Sequence, residues 1–323
     1  MSINTKFMGI DLNSPIIVGS SILTNSSENL KKAEDYGAGA LVIKSLFEEQ
    51  ILADSGRNLS EKDIYNWYPE AIRNLEGYSE SDLIEHYLNL IEFAKKSLTI
   101  PVFASINCVS AFDWPQFAVK FEEAGVDAIE LNIVVPPSDE SSSGDDICLN
   151  ISNIITSVRE HCTIPVSVKL APYFTNHNTA LRQIDESGID GLVLFNRLYT
   201  PDIDIDSISV VNNYRLSGSG DISTSLRWIT LLSDLLKSDI AGSGGVKDYS
   251  DILKYLLAGA KAVQVTSCLI VNGLEYIKEL NSGISEWMNS KNFESINDFR
   301  GLINQNPEFK KQFNRVQYLR FDT

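Results

Sequence analysis

The chain has 323 residues, 43% of them hydrophobic, and a formal net charge of −16. That is ample for a buried core in one α/β barrel or in two domains, and the negative excess argues against a general binder of nucleic acid or anionic membrane, whose phosphates most of the surface would repel. No apolar run approaches the length that spans a bilayer and the start, MSINTKFMGIDLNSP, lacks the apolar segment of a signal peptide, so a cytoplasmic protein is expected.

In chain order, a first strand is expected at PIIVGSS (15–21), opened by a proline. Proline is tolerated there because the lost N–H lies at the edge of the ladder. YGAGALVIKS (36–45) introduces a phrase that recurs at AGVDAIELNI (124–133), SGIDGLVLFN (187–196) and AGAKAVQVTS (258–267). Each follows helix-like sequence. Each begins with a Gly suited to the left-handed residue at a helix C-terminus, then runs through a short, β-rich apolar stretch into polar residues. Unbroken runs of this kind suit strands buried on both faces of a parallel sheet. PVFASIN (101–107), PVSVKLA (165–171) and DIAGSGG (239–245) supply three more strands, TIPVFAS and TIPVSVK being near copies. Helical patterns over 81–98, 113–125 and 249–259 fall between strands. The connections 46–79 and 197–223 are too long for simple crossovers, and loops of that length are usually functional. After about residue 282 a helical tail is expected.

Eight strands, near 15, 40, 101, 128, 165, 191, 239 and 262, alternating with helices, point to a (β/α)8 TIM barrel. The expected organisation is a barrel over 1–285, with long loops after strands 2 and 6, and a tail over 286–323 packed on it. A doubly wound sheet fits less well, because no G-x-G-x-x-G opens the first helix.

Chemistry in such a barrel sits at the C-terminal strand ends. Those ends carry Ser20 and Ser21, Lys44 and Ser45, Asn107, Asn132, Lys169, Asn196, Ser243 to Gly245, then Thr266 and Ser267. There is no carboxylate pair, which argues against glycoside hydrolysis. Cys108, Cys148, Cys162 and Cys268 form no C-x-x-C pair, and His86, His161 and His177 are equally scattered, so no metal site is expected and the thiols read as reduced. Gly242, Gly244 and Gly245, with Thr266 and Ser267 opposite, fit a phosphate after strands seven and eight. Lys44 and Lys169 aimed into one mouth could hold a carboxylate, stabilise an anionic reduced flavin or form a Schiff base. Three amides in one layer suit a planar ring with alternating N–H and C=O groups.

The pieces NSPIIVGSS, ALVIKSLFEEQ, PVFASIN, AIELN, PVSVKLAPYF, GLVLFNRLYTPDID and AGAKAVQVTS together resemble the class 1 dihydroorotate dehydrogenase family, most closely its dihydroorotate dehydrogenase-like branch. They lie in the right order over roughly residues 5 to 285. The resemblance implies a non-covalent FMN, its phosphate on Ser243, Gly244, Gly245, Thr266 and Ser267. Lys169 would face the flavin's N1/O2 edge, and Ser20, Ser21, Lys44, Ser45 and Asn107 match flavin-contacting positions. Asn132 and Asn196 match positions that grip the substrate's pyrimidine ring, and the resemblance also extends Lys44 to its carboxylate. The implied reaction takes dihydroorotate to orotate in pyrimidine biosynthesis, by hydride transfer to flavin with loss of a proton to a base. A soluble electron acceptor such as fumarate, and a homodimer, are likewise implied.

One stretch departs from the family. ELNIVVPPSD (130–139) stands where class 1 enzymes read E-L-N-x-S-C-P-N with the Cys as base. Val135 occupies the Cys position and Pro137 that of the second ligand Asn. Ser138 is the candidate base, with Tyr65 and Tyr68 as others. Three alternatives stay open: a flavoprotein acting on another cyclic amide or enone, a Schiff-base aldolase-type lyase using Lys169, and a flavin-binding protein without turnover.

Overall fold

The structure, a computed structural model, describes residues 2–47, 80–108, 114–134, 143–197, 201–212, 216–218 and 220–315. Val135, Pro137, Ser138, Tyr65 and Tyr68 lie outside them, as does most of the connection 46–79.

The chain opens with an antiparallel hairpin, β1 (Thr5–Phe7) and β2 (Ile10–Leu12). The barrel begins with β3 (Ile16–Val18) and β4 (Ala40–Val42), and a two-residue strand, β5 (Leu46–Phe47), follows. It continues through β6 (Val102–Cys108), β7 (Ala128–Ile133), β8 (Val166–Leu170) and β9 (Gly191–Leu194). A second antiparallel hairpin, β10 (Pro201–Asp204) and β11 (Ser209–Asn212), occupies part of the connection 197–223. β12 (Asp239–Ser243) and β13 (Ala262–Val265) complete the ring. β13 pairs with β3, β3 with β4 and β4 with β6, so eight parallel strands close on themselves. These are the eight strands expected from the sequence.

Around the ring lie α1 (Ser27–Asp35), α2 (Glu80–Ser97), α3 (Trp114–Glu123), α4 (Gly144–Arg159), α5 (His177–Asp185), α6 (Ile222–Leu232), α7 (Tyr249–Ala258), α8 (Ser267–Asn272) and α9 (Tyr276–Lys291). After α9 come a short 3-10 turn at Ile296–Asp298 and α10 (Pro307–Phe313). Ile296 and Phe299 join Ile277, Ile284 and Met288 of α9 in the main apolar core.

The recurring phrase has a physical reason. Gly37, Gly125, Gly188 and Gly259 all take left-handed φ, from +87° to +113°, ending the helix before the next strand. The near copies TIPV and G-x-D belong together as well. Asp127 accepts the N–H of Val102 at 2.7 Å, and Asp190 that of Val166 at 2.8 Å. Each carboxylate thus satisfies the first strand N–H after a proline, and a cation stands by it: Lys95 at 2.5 Å from Asp127, Arg159 at 3.3 Å from Asp190.

The two faces of each strand feed two separate cores. Ile16, Leu41, Ile129, Val168, Leu192 and Val263 face outward into the larger core beneath the helices. Ile17, Ala40, Val42, Phe103, Ala128, Val193, Ala241 and Ala262 face inward and pack with Phe7, Met8 and Leu12 of the first hairpin. That hairpin plugs the lower end of the barrel. A Cβ at Gly191 would lie 2.8 Å from Met8 Cγ and 2.9 Å from Phe7 Cζ, so a glycine there leaves room for the plug. With the lower interior filled by apolar side chains, the polar inward residues are left at the upper, C-terminal end.

Candidate functional site

Strand pairing sets the geometry of that upper end. Asn107 on β6 is in register with Asn132 on β7, and Asn132 with Lys169 on β8. Because inward side chains recur every second residue, Ser105, Glu130 and Ser167 form the layer directly beneath, again in register. Asn196, just beyond β9, donates from Nδ2 to Asn132 Oδ1 at 2.8 Å. This commits the Asn132 carbonyl and leaves its amino group and the Asn196 carbonyl for a ligand. Asn107 is 1% exposed, and its Oδ1 has no hydrogen-bond partner among the described residues.

Lys169 is buried and donates from Nζ to Gln264 Oε1 at 2.9 Å across the barrel. Gln264 Nε2 donates in turn to Glu130 Oε2. Burial pushes the Glu130 carboxyl above the usual carboxylate range, while the Lys169 charge and the Gln264 amide oppose it. Neither Glu130 nor Gln264 is among the residues the sequence reading assigned to the site. The available signal was a polar residue inside each buried apolar run, at the same parity as Asn132 and Thr266.

On the other side of the mouth, hydroxyls are linked into a chain. Ser20 and Ser45 share a hydrogen bond of 2.9 Å, and Ser45 and Ser105 one of 2.8 Å. Tyr87 on α2 accepts from Ser105 N at 2.8 Å and donates to Ser105 O at 3.1 Å, tying β6 to its helix. Ser21 caps the 3-10 turn Ile22–Thr24, accepting from Leu23 N at 3.2 Å. Half-buried Lys44 lies just beyond β4, its N–H bonded to Thr24 O at 3.3 Å.

The glycine run is divided in role. Gly242 faces outward, and a Cβ there would lie 2.6 Å from the Tyr255 ring, so this glycine serves packing and not an anion as the sequence reading had it. Gly245 has φ +71° and lies against Ile222 N, 2.3 Å from where its Cβ would be. Gly244 has φ +96° and open space beside it. Tyr255 OH donates to Ser243 O at 3.1 Å and Gly244 O at 2.8 Å, and Ser225 Oγ to Ser243 O at 3.0 Å. In a trans peptide the N–H points opposite its carbonyl, so these bonds turn the N–H groups of Gly244 and Gly245 away from the helices. Thr266 follows the adjacent strand β13 and Ser267 opens α8, and Ser267 Oγ accepts from Ser217 N at 3.1 Å.

His177, at the start of α5, buttresses the Asn196 side. Its ring stacks on Trp228 at 4.3 Å and 8°, with Phe174 and Phe195 edge-on at 5.7 Å. Burial holds its pKa below the ordinary value, against a backbone hydrogen bond at Pro172. Among the described residues no group of three or more His, Cys, Asp or Glu is placed to hold a metal ion, and no helix is long and apolar enough to cross a membrane.

Comparison with known proteins agrees with this architecture. Residues 2–288 match the family model described as dihydroorotate dehydrogenase. The "Dihydroorotate dehydrogenase B (NAD(+)), catalytic subunit" of Thermoplasma volcanium is 30% identical over 312 residues, 93% of this chain and 98% of that protein. Proteins of the same name from Pyrococcus horikoshii and Methanosarcina acetivorans are 28% and 27% identical, over 93% and 92% of this chain and 97% and 94% of theirs. Fold and matches together define a barrel oxidoreductase with a polar upper mouth. The chain belongs to the dihydroorotate dehydrogenase family.

Proposed function

We propose that the chain oxidises dihydroorotate to orotate in the cytoplasm, using a non-covalent FMN in the barrel mouth. The observation that carries this reading is the in-register row Asn107, Asn132 and Lys169, extended by the bond from Asn196. The residues present fit the cofactor. The buried Oδ1 of Asn107, without a partner among the described residues, suits an N–H of a planar ring, since a buried acceptor left unpaired is costly. The directed N–H groups of Gly244 and Gly245, with Ser243, Thr266 and Ser267, suit a phosphate where such barrels commonly hold one. Ser20, Ser21, Lys44 and Ser45 would line the rest of the ring. The bound flavin would supply the hydride acceptor.

The chain's own residues then act on the substrate. Asn132 and Asn196 orient its ring, Lys44 holds its carboxylate, and Lys169 offsets negative charge developing on its side of the mouth. The departing proton needs a base. Val135 cannot take one, and we assign the role to Ser138. The relatives' printed names, a catalytic subunit of an NAD(+) enzyme, support a companion subunit that passes electrons to a soluble acceptor. Self-pairing of this chain as a homodimer is the accompanying expectation.

Anaerobic mixing with L-dihydroorotate tests the reading. The flavin absorbance is expected to bleach in the wild type, and about 10²–10⁴-fold more slowly in Ser138→Ala. A flavin that only another cyclic amide or enone bleaches would reassign the substrate. A colourless protein that takes up no FMN would sink the proposal.

A further inference from the structure

Lys169, Gln264 and Glu130 are 9%, 4% and 1% exposed. An ammonium withdrawn from water costs several kcal/mol unless a counter-charge faces it. The group bonded to Lys169 Nζ is the neutral amide of Gln264, which supplies a dipole but no charge. That amide is itself oriented from below. Gln264 gives its amino group to Glu130 Oε2, and its carbonyl is left facing Lys169. The order carboxylate, amide, ammonium runs across the barrel from Glu130, one layer below Asn132, through Gln264 to Lys169 in the row of Asn132.

We infer that Glu130 is the counter-ion of Lys169, acting through Gln264 to hold the ammonium in place and to damp its field at the mouth. Glu130 is a positioning residue, lying one layer below the residues that face the mouth. The inference rests on the reading of Lys169 as the cation beside the flavin. Burial alone would favour a neutral carboxyl, and the Lys169 charge and the Gln264 donor oppose it. The inference says which side wins. With Glu130 ionised, removing its charge makes the mouth more hospitable to negative charge. Removing the charge of Lys169 does the reverse.

Redox titration of the FMN-loaded protein compares wild type, Glu130→Gln and Lys169→Gln. Glu130→Gln keeps the shape and an acceptor for Gln264. It is expected to shift the equilibrium toward reduced flavin by at least about tenfold, about 30 mV for a two-electron couple. Lys169→Gln is expected to shift it the other way. A shift in Lys169→Gln with none in Glu130→Gln overturns the inference and leaves the reading of Lys169 standing. No shift in Lys169→Gln overturns the reading on which the inference rests. The flavin-free protein gives an independent arm that does not need Glu130→Gln to fold. Infrared difference spectra of isotope-labelled glutamate, Lys169→Gln minus wild type at neutral pH, are expected to show a carboxylate lost and a protonated carboxyl gained. No carboxyl difference, or a buried carboxyl already protonated in the wild type, would overturn it.

Discussion

A lysine ending an apolar strand is usually a snorkelling surface residue, but Lys169 is buried and bonded inward to Gln264. A preorganised cation of this kind lowers the cost of charge that develops beside it. Lys169→Ala is therefore expected to slow flavin reduction by dihydroorotate about 10²–10³-fold and to purify with less flavin. Normal flavin content and a normal rate in anaerobic stopped flow would contradict the role. Asn196→Ala strips Asn132 Oδ1 of its donor. The pair is half-buried, so losing this hydrogen bond is expected to cost about 0.5–1.5 kcal/mol, which predicts orotate binding weaker by about 2- to 13-fold. An unchanged Kd, read from the flavin spectrum, would remove this pair from the ligand. At this scale the sequence shows residue types and strand parity. It does not show that Gln264 and Glu130, 134 positions apart, meet across the barrel, because closure of the ring makes that contact.

The elements were legible where punctuation is strong. The left-handed glycines and the opening prolines mark strand starts, and the paired Asp127 and Asp190 explain why two segments read alike. The division of each strand into inward and outward faces was hidden, since both faces are buried and no alternation of polarity appears. The first hairpin went unread for another reason: its strands are three residues each, too short for their alternation of buried and exposed residues to stand out, although it fills the barrel floor. Gly191→Ala tests that packing: a methyl driven against Met8 and Phe7 should cost about 1–3 kcal/mol. The check is the urea midpoint at unchanged m; no loss would mean the plug yields. The His177 cluster makes a second prediction at this scale. Its folded pKa lies below the ordinary value, so the folded state resists protonation. The stability it contributes is present above about pH 6.5, the ordinary histidine value, and is lost as pH falls through its lowered folded pKa. Unfolding free energy of the wild type should fall with acidification just below that pH, and His177→Phe should show a shallower slope there. Parallel slopes would refute it.

The whole molecule carries a net charge of −16, yet the proposed ligand is a phosphate ester. The two are reconciled only if a few local donors outweigh the distant field, which salt and water screen beyond about 10 Å. Those donors sit on β12 and β13 and their extensions, neighbours in the ring, so a phosphate there would clamp the seam next to which the barrel closes through β3. A ligand that binds only the folded state adds RT ln(1 + [L]/Kd) to stability, about 2.7 kcal/mol at a concentration 100 times Kd. FMN-free protein titrated with FMN should therefore gain about that much in thermal or urea unfolding. Riboflavin has the same ring without the phosphate. At the same concentration it should stabilise far less, because its Kd lacks the contribution of Gly244, Gly245, Thr266 and Ser267. The comparison separates the two ends of the site: a weak response to riboflavin with a full response to FMN assigns the binding energy to the seam. Equal stabilisation by both would take the phosphate off β12 and β13 and leave the ring contacts of Asn107 and Lys169 to carry the affinity alone.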